Sequence, residues 1–386
     1  MKKILVINTK YRNFGGEDSN IQDELKFLKS YFDVEYLEFN NGEKLRFVDI
    51  LTFIFLYNPE SNFKLKKLLK NFQPDYVYVH NLWFKPGARL LKLLNRKNFI
   101  TYIKFHNYRS SCANSYLKIK HLKNENFCKA CNFKKNNTFF FNKYYKYSFL
   151  KSIYLIRFTK KYIKYLNKYK FKVLVLNNFQ KNYIKDNKLL ENEIDIYYNP
   201  ILLKDRNKHT YNAESKYIIY AGNISEEKGT LNLLEIWNNI NLPGVTLKLV
   251  GNIDPKININ TKIKNVEILE FLKFEEIIEL IKNARALITA TKMYEGQPRV
   301  LCEASILGVP SIYPSTGGLN EYFPNDYCLN FEQYNYADLK DKILLLEHKQ
   351  LLNKLSRDVY EFSNNLFSYQ NQLSKLFEVL NFSENS

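Results

Sequence analysis

Residues 294–303 read YEGQPRVLCE, with Glu295 and Glu303 eight positions apart and Gly296 and Pro298 just inside the first. The chain holds 58 Lys and Arg against 39 Asp and Glu, so two acids gathered at one turn depart from their surroundings. Proline suits a first helical turn, where its missing N–H is not needed, so the run after Pro298 reads as a helix start. At a rise of about 1.5 Å per residue the two carboxylates lie little more than two helical turns apart, near enough to line one cleft. The helix start adds free backbone N–H groups and the positive end of a helix dipole, suited to an anion or a sugar hydroxyl. By spacing alone, a turn carboxylate and a solvated helix glutamate describe the pair equally well.

The elements that must hold these groups alternate between strand and helix. Lys3–Asn8 reads as a strand running into a loop with Gly15 and Gly16, then a helical pattern with Ile21, Leu25 and Leu28 on one face. The stretches DVEYLEFN, QPDYVYVHNLW and NFITYIKFHNYR read as further strands, the last two ending near His80 and His106. Polar residues at strand C-terminal ends, with helices between, predict a doubly wound parallel sheet. FKVLVLN and IDIYYNPI close this half, and the polar segment LKDRNKHTYNAESK reads as an interdomain linker. The pattern then restarts: YIIYAGNISEEKG is strand, loop and glycine, VTLKLVGN and ARALITAT are strands, PRVLCEASILG is a helix stopped by Gly308, and VPSIYPSTGG is a strand with a glycine loop. The last helix carries Leu373, Phe377 and Leu380 at helical spacing. The expected domains are 1–198, 199–365 and a terminal helix and tail at 366–386, and two α/β halves of similar size make the cleft between them the natural site.

At 386 residues and 45% hydrophobic, the chain can bury more than one core. No apolar run is long enough to span a bilayer, and ILVI near the start is too short for a signal peptide, so the expected location is the cytoplasm. The net charge of +19 is uneven: from Asn126 to Lys185 there is no Asp or Glu, while fifteen Lys or Arg occur. Such a balance admits nucleic acid, an anionic membrane or a phosphorylated substrate as partner. Five cysteines in a cytosolic chain argue against a disulfide scaffold.

The segment around the two glutamates resembles the E-x7-E signature of the family-4 retaining glycosyltransferases, the glycosyl transferases group 1. The resemblance extends in order along nearly the whole chain: FGGED to the N-terminal glycine loop, FHNYR to the first-domain histidine, YYNPI to the turn into the second domain, GNISEEKG to the phosphate-binding loop, STGGLNE to the late glycine loop. It implies an α/β protein of the GT-B fold, two Rossmann-like doubly wound domains facing across a cleft, with a C-terminal helix crossing back to the first. It also implies an enzyme, a retaining hexosyltransferase using a nucleotide-diphosphate sugar of UDP or GDP type, with no catalytic cofactor or metal.

Residue by residue, the resemblance puts Glu303 on the donor's ribose hydroxyls, Glu295 against the transferred sugar, Lys228 on the diphosphate and His106 near the donor sugar. Gly16, Gly296 and Gly317 join the donor-binding group, and Gly15 the acceptor-side loop. A cation beside the diphosphate opposes the charge that builds as the glycosidic bond breaks. The chain departs from the family where Asn223 stands in place of an arginine five residues before Lys228. Arg299 is either its replacement or a surface arginine. The family's His-Asp pair reads His106–Asn107, and His80 is taken as structural. Phe271 is either a neighbour of the base or a core residue. Cys112, Cys128 and Cys131 resemble a cysteine pattern in part of the family. With His106 or His121 they would make a closed structural zinc site, or they stand as three free thiols.

The stretch SIYLIRFTKKYIKYLNKYK puts Leu155, Phe158, Tyr162, Tyr165, Leu166 and Tyr169 on one helical face and Arg157, Lys160, Lys161, Lys164 and Lys168 on or beside the other. One reading lays it on an anionic membrane surface, and the other packs its aromatic face on the sheet. Docking on the cytoplasmic face of a membrane suits an enzyme whose acceptor is a lipid-linked glycan or oligosaccharide, in the synthesis of surface polysaccharide or lipopolysaccharide. No nucleic-acid module is present, and nucleic acid is not expected as a partner. The rival from another class is a non-catalytic glycosyltransferase-like scaffold in a glycan-assembly complex, which Asn223 favours.

Overall fold

The computed structural model describes residues 1–10, 15–42, 46–96, 99–108, 149–169, 171–204, 206–255, 257–259, 263–270 and 272–381. The candidate zinc ligands Cys112, His121, Cys128 and Cys131, the base neighbour Phe271 and residues 126–148 of the basic stretch lie outside them. The chain divides into two compact units, Met1–Pro200 and Ile201–Ser386.

The first unit is built on a six-stranded sheet of β1 (Lys3–Lys10), β2 (Asp33–Asn40), β3 (Tyr76–Val79), β4 (Ile100–Lys104), β5 (Lys172–Val175) and β6 (Ile194–Ile196). All neighbours are parallel, in the order β2-β1-β3-β4-β5-β6. Strand β1 is buried along Ile4–Thr9, as expected of a parallel strand with helices on both faces. The helix Gly16–Lys29 follows β1 and buries Ile21, Asp23, Glu24, Phe27 and Leu28. Leu25, expected on the apolar face, is half-buried and Glu24 takes a place there instead.

The second unit repeats the design with β7 (Tyr217–Ala221), β8 (Thr246–Val250), β9 (Val266–Leu269), β10 (Leu287–Ile288), β11 (Ser311–Ser315) and β12 (Asn330–Glu332). These are again all parallel, in the order β12-β11-β10-β7-β8-β9. The α/β fold class expected from the sequence is therefore the observed one. The segment taken as a linker is instead fastened to this unit. Arg206 donates to Asn364 and to the Phe367 carbonyl at 2.8 Å, His209 bonds Ser356 at 2.7 Å, and the Tyr211 hydroxyl donates to the Arg285 carbonyl at 2.7 Å. A polar composition suggested a solvated connection, but these side chains satisfy carbonyls and hydroxyls of the packed unit. In the last helix, Tyr369–Leu380, the buried residues are Gln372, Leu376, Val379 and Leu380, while Leu373 and Phe377 sit half-exposed beside that stripe.

One glycine fixes the loop geometry of the second sheet. Gly229 has φ +69°, and a Cβ there would stand 1.9 Å from the Ala290 carbonyl oxygen, so the loop after β7 lies directly on the loop after β10. The left-handed conformation costs a non-glycine residue about 1–2 kcal/mol and overpacking adds about 1–3 kcal/mol. Gly229→Ala is expected to lower unfolding stability by roughly 2–5 kcal/mol in a urea titration. Gly15→Ala, where a Cβ would meet nothing within 4 Å, serves as the neutral comparison.

Candidate functional site

In an open parallel sheet, ligands bind outside the strand C-termini where the strand order reverses. In the second unit that point falls between β7 and β10, neighbours in space though far apart in sequence. Lys228 ends the loop after β7, and Glu295 stands in the turn after β10. The Lys228 ammonium lies 2.5 Å from Glu295 Oε1, and the Thr291 hydroxyl donates to the same oxygen at 3.2 Å. Both side chains remain partly exposed, at 28% and 19%, so the pair is open to a ligand. The third loop, after β11, braces the turn: the Tyr322 hydroxyl donates to the Gly296 carbonyl at 3.0 Å. Gly317 in that loop is left-handed at φ +58°.

Glu303 lies on the helix Arg299–Ile306, which Pro298 caps from the position just before it. It is buried, and Arg299 Nε donates to its Oε1 at 2.6 Å. The Arg299 guanidinium also lies over the Phe274 ring at 5.5 Å from its centroid. Arg299 is thus no loose surface arginine; it is engaged in orienting Glu303. Gly308 is left-handed at φ +76° just past this helix, where the sequence put its stop. Asn223 is exposed, and its backbone carbonyl accepts from the Tyr220 hydroxyl at 2.6 Å.

The first unit gathers a second constellation at the C-terminal ends of its central strands. Lys104, the last residue of β4, is fully buried and donates to Glu24 Oε1 at 2.9 Å and Oε2 at 3.0 Å. The Tyr78 hydroxyl donates to the same carboxylate at 2.7 Å, and the Lys104 ammonium lies over the Tyr197 ring at 4.3 Å. Two buried opposite charges persist only when each is well paired and hydrogen-bonded, and here both are. Beside them His80, after β3, and His106, after β4, share a hydrogen bond of 2.8 Å between His80 Nδ1 and His106 Nε2. Both rings line a pocket with Glu17, Asn81 and Asn107, and Asn107 donates to Glu17 at 3.2 Å. Gly15 and Gly16 begin the helix that carries Glu17, and both are exposed. Glu24, His80 and His106 each offer one possible metal ligand within 4.8 Å of the others, but the Lys104 ammonium already fills both oxygens of that carboxylate.

Sequence reasoning missed Lys104, Glu24, Tyr78 and Thr291. A signal was present for the first two: a lysine closing a buried strand, and a glutamate on the apolar face between Ile21 and Leu28. The histidine taken as structural, His80, is the direct partner of the candidate His106.

The aromatic face expected to choose between membrane and sheet is packed within the first unit. Tyr154, Leu155, Phe158, Tyr165 and Leu166 of the helix Phe149–Tyr169 are buried. Phe158 meets Trp83 edge-on at 4.9 Å, and Tyr154 stacks on Phe53 at 4.9 Å. Most of this apolar stripe is therefore buried against the rest of the first unit. Lys160, Lys164 and Lys168 remain exposed on the other side, whereas Arg157 donates to the Ile54 carbonyl. No helix among the described residues is long and apolar enough to cross a membrane.

Comparison with known proteins agrees with this architecture. Residues 203–364 match the family model described as glycosyl transferases group 1. A curated relative, the amylovoran biosynthesis glycosyltransferase AmsD of Erwinia amylovora, is 28% identical over 150 residues. The match covers 36% of this chain and 42% of that one, so the chain spans less than half the length of this relative. Among solved structures, a sucrose-phosphate synthase from Thermosynechococcus elongatus superposes with a TM-score of 0.68 at 14% identity, covering 98% of this chain and 99% of that one. Anabaena Alr3699/HepE in complex with UDP superposes at 0.64 and 13% identity, covering 99% and 100%. At such identities the shared property is the fold, which is GT-B.

Burial holds both histidines of the first unit well below their ordinary pKa of 6.5; the His106 charge and then Lys104 add to this for His80, and Lys104 does so for His106. The unfolded chain therefore takes up these protons first as pH falls, and stability is lost below pH 6.5 and regained above it. The loss is expected to reach about 1.4 kcal/mol per pH unit for each histidine kept neutral. Urea midpoints between pH 5 and 8 check this, and a His80→Phe variant is expected to show a shallower dependence.

Proposed function

We propose that this chain is a retaining glycosyltransferase that moves a sugar from a nucleotide-diphosphate donor to a glycan or lipid-linked acceptor. The observation that carries the reading is the Lys228–Glu295 pair at the reversal point of the second sheet. A donor diphosphate competes with Glu295 for the Lys228 ammonium. Once the lysine turns to the phosphate, the carboxylate is released toward the sugar, as the family resemblance implies for Glu295. Glu303, oriented by Arg299, meets the ribose hydroxyls, and Gly296 and Gly317 allow close backbone approach. For the first unit, the family resemblance implies a donor-sugar role for His106 and an acceptor-side role for Gly15.

In the transfer, the bond from the anomeric carbon to the diphosphate oxygen breaks with its electron pair leaving on the diphosphate. The acceptor hydroxyl oxygen bonds to the same carbon on the same face, and its proton passes to the departing phosphate. Lys228 stabilises the charge that develops there, and the rest of the site contributes orientation. Donors of UDP or GDP type fit the site, and the UDP and UDP-glucose held by Alr3699/HepE support the former. The name of the Erwinia relative supports an acceptor in surface polysaccharide synthesis. The exposed Lys160, Lys164 and Lys168 support a peripheral position on an anionic cytoplasmic membrane face.

A thermal-shift panel of UDP- and GDP-sugars tests the reading. A ligand bound only by the folded state at about 100 times its Kd adds about 2.7 kcal/mol. One nucleotide class is expected to raise the melting temperature, and Glu303→Ala to weaken that shift. A well-folded sample that answers no donor would transfer weight to the non-catalytic scaffold, with Asn223 as its explanation. With a donor in hand, Lys228→Ala is expected to lower kcat about 10²- to 10³-fold, the usual loss when one preorganised electrostatic group is removed.

A further inference from the structure

The two histidines of the first unit share one hydrogen bond and have one proton to place in it. The His80 side chain has no exposed surface, and a neutral imidazole carries a single N–H. If His106 Nε2 held the proton, His80 Nδ1 would be a bare, partly negative nitrogen 3.9 Å from Glu24 Oε2. It would also leave an N–H on His80 Nε2, a buried atom with no hydrogen-bond partner among the described residues. With the proton on His80 Nδ1, the bond runs from His80 to His106 and the positive N–H stands 3.9 Å from the carboxylate, which favours it. His106 must then carry its own proton on Nδ1, also buried and without a partner among the described residues. His106 is the more exposed of the two residues and borders the pocket with Glu17 and Asn107, where a ligand oxygen can complete that bond.

We infer that His80 is a positioning residue: it donates through Nδ1–H to His106 Nε2 and so fixes His106 as an Nδ1–H donor toward an oxygen of the ligand bound in this pocket. The orientation is anchored from below. Glu24 is held by Lys104 and Tyr78, so the carboxylate that selects the His80 tautomer cannot swing away. The pocket then presents a neutral donor, which suits a sugar hydroxyl as well as a phosphate oxygen. The assignment of the ligand rests on the glycosyltransferase reading above; the tautomer does not.

The test is a long-range 1H–15N correlation spectrum of the full chain labelled at its histidines, with the His106 signals assigned by their loss in His106→Gln. Protonated and bare ring nitrogens resonate far apart, so each tautomer is read directly. The expected result is a neutral His106 protonated on Nδ1, which loses this preference in His80→Phe and keeps it in His80→Asn, whose amide N–H stands near the Nδ1 position. A wild-type His106 protonated on Nε2, or one unchanged in His80→Phe, overturns the inference. If a donor is turned over, His80→Phe is expected to lower kcat at least about tenfold with little change in donor KM, the scale of one oriented hydrogen bond. His80→Asn is expected to restore most of that loss. Equal kcat in wild type and His80→Phe would contradict the positioning role, whereas a chain that turns over no donor yet shows the Nδ1–H tautomer would count against the transferase reading alone.

Discussion

The Lys228–Glu295 ion pair depends on a reversal of strand order. The two residues are separated by most of the second sheet's sequence, and they meet because β7 and β10 are neighbours at the point where the chain changes its direction of winding. Gly229 lets the two loops lie against each other, and Tyr322 holds the turn from the loop after β11. A partly exposed ion pair that keeps contact with solvent contributes little to stability, about 0–1 kcal/mol. On the proposed reading, Lys228 is a cation kept in place for the donor's diphosphate.

The first unit solves a different problem with similar means. Lys104 and Glu24 sit where water cannot reach, and removing either would leave a buried charge at a cost of about 3–5 kcal/mol. Tyr78, Tyr197 and the Tyr198 carbonyl complete their surroundings. Burial pushes the Tyr78 and Tyr197 hydroxyls well above their ordinary pKa, and Glu24 adds to this, so both stay neutral and Tyr78 remains a donor. The ion pair thereby forms a rigid base on which the two histidines stand.

The parallel strands were legible because a buried strand needs a short apolar run ended by polar residues, and runs such as ILVI and YVYV have few other uses. Loop positions were legible for the same reason: Lys228, Glu295, His80 and His106 all follow such runs. Pairing was not. Nothing in the spacing of Lys228 and Glu295, or of Glu24 and Lys104, states that they touch, because contact depends on strand order. The aromatic helix was ambiguous since an apolar stripe suits lipid and protein alike, and only Trp83, Phe53 and their neighbours decide between them. The polar stretch after Pro200 misled because Arg206, His209 and Tyr211 bind carbonyls and hydroxyls that composition does not reveal.

The most direct measurement is a calorimetric titration of UDP and GDP into wild type, Lys228→Met and Glu295→Gln. If the diphosphate displaces Glu295 from Lys228, losing the ammonium should weaken binding of the preferred nucleotide by about tenfold or more, the scale of a charge-assisted hydrogen bond. Glu295→Gln, which frees the lysine from its internal partner, should bind that nucleotide at least as tightly as wild type. Unchanged affinity in Lys228→Met, or an equal loss in both variants, would contradict the account.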